Sequence, residues 1–361
     1  MFDIEKLLID VFAPVKGENF ILLNDFPLKE VDFTAEYLER KDMVKQWHKA
    51  LEKLSEKMGF TVEPIIYYEP TKAHSGPLPE EGLQNKENID LTNKLDSFGK
   101  KDVVIAITKF SSTGPIHSRL KKQKFRSATL PGAHMDMSAF SADYKLVAKK
   151  AKILSQKLTD AKAAIVTFST GHEIYFDLRG YDAHADDGVC QESGQGINLP
   201  SGEAYITPND KPGSKTIGFL PVYYDKHLVV YEVQENKIID VITDSPKSRE
   251  MQRYFKEDPV RGNIAELGLG CNDKATFINN ILQDEKIEGM HWAYGYNRYM
   301  GGSIDVADFK DPLNAVHMDI IYTTDAKLKV KRITLVYEGS KREVIMENSR
   351  YSFNIKKLFN N

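Results

Sequence analysis

The sequence predicts an α/β plus β-rich protein with two domains: an N-terminal open α/β sheet domain over residues 1–160, and a C-terminal mixed, mainly antiparallel β domain over residues 161–361. Three observations predict this class. A length of 361 residues corresponds to two domains of roughly 100–200 residues each. Helical patterns alternate with short apolar strands in the first domain. In the second, short strands follow one another every ~8–12 residues, separated by turn residues.

The composition is that of a globular chain with little net charge. Hydrophobic residues make up 41% and aromatic residues 10%, which is enough for packed cores and excludes a disordered or fibrous chain. The 49 basic and 52 acidic side chains nearly cancel, so the overall charge gives no reason to expect nucleic acid or a membrane surface as a partner.

No targeting or membrane segment is predicted. Charged residues interrupt the N-terminal segment MFDIEKLLIDVFAPVKG, and no stretch approaches the roughly 18 apolar residues of a membrane-spanning helix. Cys190 and Cys271 are the only cysteines, too few for a disulfide framework. We therefore expect a cytoplasmic protein.

The first 160 residues contain alternating helix and strand patterns. Residues 35–59 place apolar side chains at helical spacing and end at Gly59, which predicts a helix that stops at this glycine. The patterns that follow predict, in chain order, a strand at TVEPIIYYE (61–69), a Pro- and Gly-rich loop over 70–85, a helix near 88–98 and a buried parallel strand at VVIAIT (103–108).

The middle and C-terminal patterns differ from these. The segment from Ala142 to about Ala161 lacks Pro and Gly and is rich in Ala, Lys and Leu, which predicts a helix joining the two domains. Strand patterns then recur between turn clusters, and one helix is predicted over 245–257. The predicted strands are AIVTFST, HEIYFDLRG, EAYITP, KTIGFLPVYY, LVVYEVQENKIIDVIT, AVHMDIIYT, KRITLVYEG and KREVIME.

His317 and Asp319 form a His-x-Asp pair in the predicted strand AVHMDIIYT. Side chains at positions i and i+2 of a strand point to the same face, so both would project into one cavity. The pair then offers two ligands to a metal ion. A hydrogen-bonded pair without a metal is the alternative, and the commoner role of such a pair taken alone.

Two glutamates lie in Gly-containing segments whose other residues favour burial. Glu203 follows a Pro-Ser-Gly turn at the start of the strand EAYITP, and Glu266 lies in GNIAELGLGCN, which contains no basic residue. A buried carboxylate without a partner costs several kcal/mol, so a bound cation is the usual remedy. For Glu266, hydrogen bonding to backbone N–H groups near Gly268 is the alternative.

The second half thus supplies two glutamates, one aspartate and two histidines suited to a divalent metal. Carboxylate oxygen and imidazole nitrogen are the ligands of zinc, cobalt and manganese in hydrolytic sites. The candidate ligands are Glu203, Glu266, His291, His317 and Asp319. The sequence therefore predicts that the C-terminal domain carries a metal site.

Four sequence strings resemble the ordered motifs of one enzyme family. They are NLPSGEAYITP (198–208), GNIAELGLGCN (262–272), LQDEKIEGMHWAYG (282–295) and VHMDI (316–320). In order and spacing they resemble the motifs of the thermophilic-type metallo-aminopeptidases, a cytosolic leucyl aminopeptidase-like family with a two-metal site. The segment MSAFSADYKLVAKKAKILSQKL is similar to the helix before that family's catalytic half, and the resemblance covers about residues 130–320.

The resemblance implies a metal-dependent aminopeptidase that releases N-terminal residues from peptides through a metal-activated water. Two divalent ions, Zn, Co or Mn, would lie in an enclosed cavity of the C-terminal domain. Their implied ligands are Glu203, Glu266, His291, His317 and Asp319, with Glu266 near both metals. The resemblance also implies a homodimer.

Two further residues come from the same resemblance. Glu285 corresponds approximately to another family glutamate, which implies a sixth metal ligand. Tyr299 is the nearest match to a tyrosine whose hydroxyl stabilises a tetrahedral intermediate, with Tyr294 and Tyr296 as alternatives. Glu266 and Tyr299 are therefore the expected catalytic residues.

Two other functions remain open at this point. His291, His317 and Asp319 alone form a 2-His-1-carboxylate set, the ligand group of non-haem Fe(II) oxygenases, and some ring-cleaving dioxygenases look similar to the same fold. The presence of Glu203 and Glu266 favours the aminopeptidase, because a mononuclear iron site needs no further glutamates. The third possibility is a non-catalytic binding protein, against which the retention of all five ligands argues.

Three other motifs favour structural roles. Asp186 and Asp187 in AHADDGVCQESGQG are candidates for ordering the substrate-amine region, but a polar turn is favoured. The basic cluster RLKKQKFR (119–126) favours a solvated helix face or loop over phosphate or RNA binding. A second His-x-Asp pair, His134 and Asp136, is interpreted as structural or at a cavity edge.

Overall fold

The computed structural model describes residues 2–74 and 76–360 and has a mixed α/β fold with parallel and antiparallel sheets, which confirms the predicted fold class. The chain forms two compact units. Unit 1 comprises Met1–Lys145, Gly188–Ser201 and Lys274–Gln283, and unit 2 comprises Leu146–Asp187, Gly202–Asp273 and Asp284–Asn361. The predicted domain limits, 1–160 and 161–361, stay a prediction.

Eight α-helices occur within the described residues: α1 (Ile4–Phe12), α2 (Ala35–Met58), α3 (Leu91–Asp96), α4 (Thr113–Gln123), α5 (Tyr144–Asp160), α6 (Pro246–Glu257), α7 (Ile281–Asp284) and α8 (Phe353–Asn360). The predicted helices over 35–59, 142–161 and 245–257 correspond to α2, α5 and α6. In α2, the Thr34 side chain accepts a hydrogen bond from the Tyr37 N–H, and Gly59 ends the helix with a φ of 76°. None of the helices among the described residues is long and apolar enough to cross a membrane.

The same part of the chain contains twenty-one strands. In chain order they are β1 (Asn19–Asp25), β2 (Thr61–Val62), β3 (Ile66–Tyr68), β4 (Glu81–Gln84), β5 (Glu87–Asp90), β6 (Asp102–Thr108), β7 (Arg126–Pro131), β8 (Ala163–Phe168), β9 (Glu173–Asp177), β10 (His184–Asp186), β11 (Gly196–Asn198), β12 (Glu203–Ile206), β13 (Ile217–Tyr224), β14 (His227–Gln234), β15 (Lys237–Val241), β16 (Ile264–Gly270), β17 (Gly289–Gly295), β18 (His317–Thr323), β19 (Val330–Val336), β20 (Arg342–Glu347) and β21 (Arg350–Tyr351).

Unit 1 contains one sheet with the order β11-β7-β6-β1-β3-β4-β5, and β2 also pairs with β1. The pairs from β11 to β3 are parallel, whereas β4 and β5 add an antiparallel edge. Strand β6 pairs in parallel with strands on both sides, and its residues Val103–Ile107 are fully buried. The predicted buried parallel strand at 103–108 is therefore confirmed.

Unit 2 contains two antiparallel sheets. One has the order β10-β12-β16-β17-β18, and the other has the order β15-β14-β13-β9-β8-β19-β20-β21. Buried side chains of both sheets form one hydrophobic core, in which the Phe168 and Tyr322 rings lie 5.1 Å apart and the Trp292 indole N–H donates to the Tyr322 hydroxyl. This core packs against one face of the five-stranded sheet and holds the sheet in place.

Three local predictions in unit 1 differ from the structure. The predicted strand 61–69 is two short strands, β2 and β3, separated by a segment that contains Pro64, which has no N–H to donate to a neighbouring strand. Strands β4 and β5 occupy part of the predicted loop and helix. They form a hairpin because Asn85 and Lys86 both adopt positive φ, at 52° and 67°.

The predicted strands of the second half are all present. The long pattern LVVYEVQENKIIDVIT forms two of them, β14 and β15, because Glu235 and Asn236 take positive φ values of 46° and 66° and make a tight turn. The strands β10, β11, β16, β17 and β21 were not predicted as such.

Candidate metal centre

The predicted ligands lie on four adjacent strands of the five-stranded sheet in unit 2. Glu203 begins β12, Glu266 is in β16, His291 is in β17, and His317 and Asp319 are on β18. Antiparallel pairing joins these strands in the order β12, β16, β17 and β18. Residues more than one hundred positions apart in the sequence therefore meet at one place on the sheet.

The first ligand group consists of Glu203, Glu266 and His291 and is called the Glu203 group below. One donor atom from each residue lies within 4.8 Å of the others, and all three residues are buried. The His291 Nε2 atom is 3.0 Å from Glu203 Oε2 and 3.2 Å from Glu266 Oε1. This arrangement of two carboxylates and one imidazole is suited to a divalent cation.

The second ligand group consists of Glu266, His317 and Asp319 and is called the His317 group. Its donor atoms also lie within 4.8 Å of one another. The His317 Nε2 atom is 3.1 Å from Glu266 Oε2 and 3.6 Å from Asp319 Oδ1. Glu266 thus belongs to both groups, and each of its two oxygens faces a different histidine.

Backbone contacts orient the two histidines. The His317 Nδ1 atom lies 2.9 Å from the carbonyl oxygen of Tyr296, so Nδ1–H donates there and Nε2 faces the carboxylates. The His291 ring lies against the backbone of Gly268 on the paired strand, where an added Cβ would overlap the ring. Glycine at position 268 is therefore required for the position of this imidazole.

The carboxylates and histidines strongly affect each other's ionisation. Burial disfavours the charged form of His291, but hydrogen bonds to Glu203 and Glu266 outweigh it and raise the pKa of His291 well above its usual value. Burial also opposes the charge on His317, whose pKa Asp319 and Glu266 raise in the same way. Burial raises the pKa of Glu266, but the hydrogen bonds and charges of the two histidines have the larger effect. The pKa of Glu266 therefore lies well below its usual range.

A buried lysine next to the Glu203 group was not singled out from the sequence. The Lys286 Nζ atom lies 2.6 Å from Glu203 Oε1, 2.9 Å from Asp186 Oδ2 and 2.8 Å from Glu285 Oε1. Burial opposes its charge, but these three carboxylates raise the pKa of Lys286 well above its usual value. Lys286 is therefore positively charged. Its position in the motif string LQDEKIEGMHWAYG was the one sequence feature that could have indicated a role near the metal site.

Asp186 lies in a strand and not in the polar turn that the sequence favoured. It ends β10, directly opposite Glu203 on β12. The neighbouring Asp187 makes an ion pair with Lys152 at 3.2 Å. Cross-strand pairing therefore makes Asp186 part of the charged cluster.

Glu285 lies beside Lys286 and belongs to neither ligand group. Burial and the nearby carboxylates of Glu203 and Asp319 raise the pKa of Glu285 to about 8, although Lys286 opposes this shift. Its assignment as a sixth metal ligand stays a prediction.

Two of the three candidate tyrosines flank His317. The rings of Tyr299 and Tyr296 lie 5.5 Å and 6.1 Å from the His317 ring. Tyr294 is in the hydrophobic core, packed against Phe255. Tyr299 is 64% exposed as a whole, while protein around its hydroxyl and the charges of Glu266 and Asp319 raise the pKa of Tyr299 well above its usual value.

The donor set and charge of this cluster fit divalent cations. Among the described residues, five carboxyl groups, those of Asp186, Glu203, Glu266, Glu285 and Asp319, outnumber the three basic groups beside them, Lys286, His291 and His317. Uncompensated charge at this degree of burial is costly, and oxygen and imidazole donors are those that zinc, cobalt and manganese take. Cys271 is buried nearby and belongs to neither ligand group.

The other motifs have structural surroundings in unit 1. His134 and Asp136 line a cavity of about 410 Å³, as expected for a cavity edge, and His134 belongs to neither ligand group found among the described residues. In the basic cluster 119–126, Arg119 pairs with Asp96 at 2.9 Å, whereas Arg126 is buried and forms an ion pair with Glu18. The buried ion pair of Arg126 differs from the solvated helix face or loop that was expected for this cluster.

The solved structures with a similar fold include a dioxygenase and an aminopeptidase. No family model matches the chain, and no curated protein matches it in sequence. The 2,5-dihydroxypyridine dioxygenase from Pseudomonas putida KT2440 superposes with a TM-score of 0.67 at 14% identity, over 97% of each chain. The wild-type aminopeptidase AmpT from Thermus thermophilus superposes with a TM-score of 0.60 at 13% identity, over 96% of this chain and 98% of that chain.

At this level of identity the similarity shows the fold and not the reaction. The two similar structures belong to enzymes of different reaction classes, and they do not distinguish between those reactions. The ligand groups described above supply candidate positions for a metal in this chain. The chain shares its fold with a dioxygenase and an aminopeptidase.

Proposed function

We propose that the protein is a metal-dependent aminopeptidase that releases N-terminal residues from peptides. Two divalent cations, Zn²⁺, Co²⁺ or Mn²⁺, would be held by Glu203, Glu266, His291, His317 and Asp319. The observation that carries the proposal is the position of Glu266, whose two oxygens lie 3.2 Å from His291 Nε2 and 3.1 Å from His317 Nε2. A carboxylate shared in this way is typical of two-metal hydrolytic sites.

The distribution of ligands favours this function over a mononuclear iron site. A 2-His-1-carboxylate site would need His291, His317 and Asp319 around one ion. In the structure, His291 belongs to the Glu203 group, while His317 and Asp319 belong to the His317 group. Glu203 and Glu266 complete both groups, and a mononuclear iron site would not need them.

The chain's own residues supply the remaining requirements of peptide hydrolysis. When bound, two cations would polarise the substrate carbonyl and lower the pKa of a water. Glu266 would hold the two ligand groups in one arrangement, because its carboxylate is buried and contacts both histidines. Tyr299, whose ring lies 5.5 Å from that of His317, would donate a hydrogen bond from its hydroxyl to the oxyanion of the tetrahedral intermediate.

The direct test is metal-dependent release of the first residue from a peptide. Chelated protein should be inactive, and Zn²⁺, Co²⁺ or Mn²⁺ should restore cleavage of a peptide with a free amino terminus but not of its N-acetylated form. Glu203→Ala and Glu266→Ala should each lower kcat by at least about 10³, in the range of losses known for catalytic groups. Glu250→Ala, at an exposed glutamate of α6, is the matched control.

Full activity in both variants, or no uptake of metal by the chelated protein, would rule out this function. The dioxygenase alternative is supported by the similar structure with the TM-score of 0.67. It predicts oxygen uptake with a dihydroxypyridine after anaerobic loading with Fe(II), and one metal per chain. A binding protein without catalysis predicts neither reaction.

A further inference from the structure

Lys286 is a fixed cation beside one of the two ligand groups only. Its side chain is 2% exposed, and three carboxylate oxygens, from Asp186, Glu203 and Glu285, lie 2.6 to 2.9 Å from its ammonium. The ammonium donates a hydrogen bond to Glu203 Oε1 and forms ion pairs with the carboxylates of Asp186 and Glu285. Among the described residues, neither His317 nor Asp319 forms an ion pair with a lysine or arginine.

The backbone around Lys286 is held in place. Residues 285–287 lie against the backbone of Gly270 in β16, where a Cβ would overlap the carbonyl oxygen of Ile287. The Asn272 N–H donates to the Lys286 carbonyl at 2.9 Å, and the Tyr351 hydroxyl donates to the Gly270 carbonyl at 2.8 Å. Lys286 therefore cannot leave the cluster without disturbing β16.

The ammonium changes what Glu203 can offer to a cation. Glu203 Oε1 accepts from Lys286 at 2.6 Å, and Glu203 Oε2 lies 3.0 Å from His291 Nε2. Oε1 is therefore already engaged by the ammonium, which makes it a weaker ligand atom than Oε2, and the ammonium compensates part of the negative charge of this carboxylate. Asp319, in the other group, makes no such pair with a lysine or arginine among the described residues.

We propose that Lys286 makes the two metal positions unequal. The His317 group takes the first cation, and the Glu203 group takes the second with an affinity at least tenfold lower. Lys286 is thus a positioning residue that sets the order of metal loading through Glu203. The inference rests on the two-metal site of the proposed function, but it does not depend on the reaction that the site performs.

The test is a titration of the metal-free protein with Mn²⁺ in the absence of substrate. Calorimetry measures the two dissociation constants, and electron paramagnetic resonance monitors the bound Mn²⁺. The wild-type protein should bind in two steps whose dissociation constants differ at least tenfold, with an isolated Mn²⁺ signal at one equivalent. In Lys286→Met, Glu203 Oε1 loses the hydrogen bond from the ammonium. The ratio of the two dissociation constants should therefore fall at least tenfold. The signal of two coupled Mn²⁺ ions should appear at a smaller amount of added Mn²⁺ than in the wild type. Lys157→Met removes a lysine of the same unit that pairs with Glu343 at 2.8 Å, and it should behave like the wild type.

A second variant keeps the proposal testable if Lys286→Met does not fold. Asp186→Asn removes one partner of Lys286, so the ammonium should interact more strongly with Glu203 and widen the gap between the two steps. Equal affinities in the wild type, or an unchanged gap in the variants that fold, would overturn the proposal. Two unequal steps without peptide cleavage would refute only the proposed function, whereas peptide cleavage with two equal steps would refute only the role of Lys286.

Discussion

The His291 imidazole lies directly against the backbone of Gly268, with no room for a Cβ at position 268. The contact follows from the antiparallel register of β16 and β17, in which these two residues are paired. It places Nε2 between Glu203 and Glu266.

Substitution of Gly268 by alanine should therefore displace His291 and weaken the Glu203 group. We expect Gly268→Ala to bind one Mn²⁺ with nearly unchanged affinity, to bind the second at least tenfold more weakly, and to lose roughly 10²-fold in kcat, as is typical when a catalytic group moves by about 1 Å. Metal analysis and peptide cleavage check this. Gly99→Ala is the control, because a Cβ there meets nothing within 4 Å.

Removing the charge of Glu266 should affect both metal positions, whereas removing that of Glu203 should affect one. We expect Glu203→Gln to retain about one equivalent of Zn²⁺ after gel filtration, and Glu266→Gln to retain almost none, because Glu266 belongs to both ligand groups. Elemental analysis checks this, with Glu250→Gln as the control. Two retained equivalents in Glu266→Gln would contradict a shared carboxylate.

Lys286→Met should destabilise the metal-free protein strongly. Removing one member of a buried ion cluster leaves uncompensated charge, and such losses amount to about 3–5 kcal/mol in the free energy of unfolding. Urea denaturation of the chelated protein measures it, and added Mn²⁺ should restore part of the loss. Lys157→Met, with a more exposed ion pair, should lose only about 0–1 kcal/mol. An equal loss in both variants would contradict the compensating role of Lys286.

Tyr299→Phe should lower kcat with little change in metal content. Its ring lies 5.5 Å from that of His317, and loss of one hydrogen-bond donor to an oxyanion costs roughly 10²–10³ in kcat. Tyr296→Phe is the matched control, since its ring also lies next to His317. If Tyr296→Phe, and not Tyr299→Phe, loses activity, the catalytic tyrosine is Tyr296.

His117 should make the stability of unit 1 depend on pH. Burial lowers the pKa of His117 to about 4, whereas an unfolded histidine titrates near 6.5. Between these values the unfolded chain binds a proton that the folded chain does not, so stability is lost as the pH falls. From pH 7 to pH 5 this loss amounts to about 2 kcal/mol. Urea denaturation at both pH values should show a smaller loss in His117→Gln than in the wild type, and an unchanged loss in His172→Gln.

The parts of the site that follow from local pattern could be predicted from the sequence. Strand alternation alone placed His317 and Asp319 on one face, and both belong to the same ligand group. Glu203 at a strand start and Glu266 in an apolar segment are also local features, and both are buried in the structure. Burial of the acidic residues in such segments made a cation the expected partner.

The parts that depend on pairing between distant strands could not be predicted. Asp186 is opposite Glu203 because β10 pairs with β12, and a register of this kind leaves no trace in the two segments taken separately. Lys286 meets Asp186 across one hundred residues of sequence. The hairpin at Asn85 and Lys86 was missed because neither residue is the glycine that usually indicates a turn with two positive φ angles.

The strand order of the five-stranded sheet has a consequence for biosynthesis of the protein. The proposed ligands come from β12, β16, β17 and β18, so they converge only after residues 203–319 have been made and all four strands have paired. No shorter fragment of the growing chain can hold a cation at both positions. Under the proposed function, the supply of metal in the cell would act on a late stage of maturation, and a shortage of metal would leave completed chains exposed to unfolding and proteolysis.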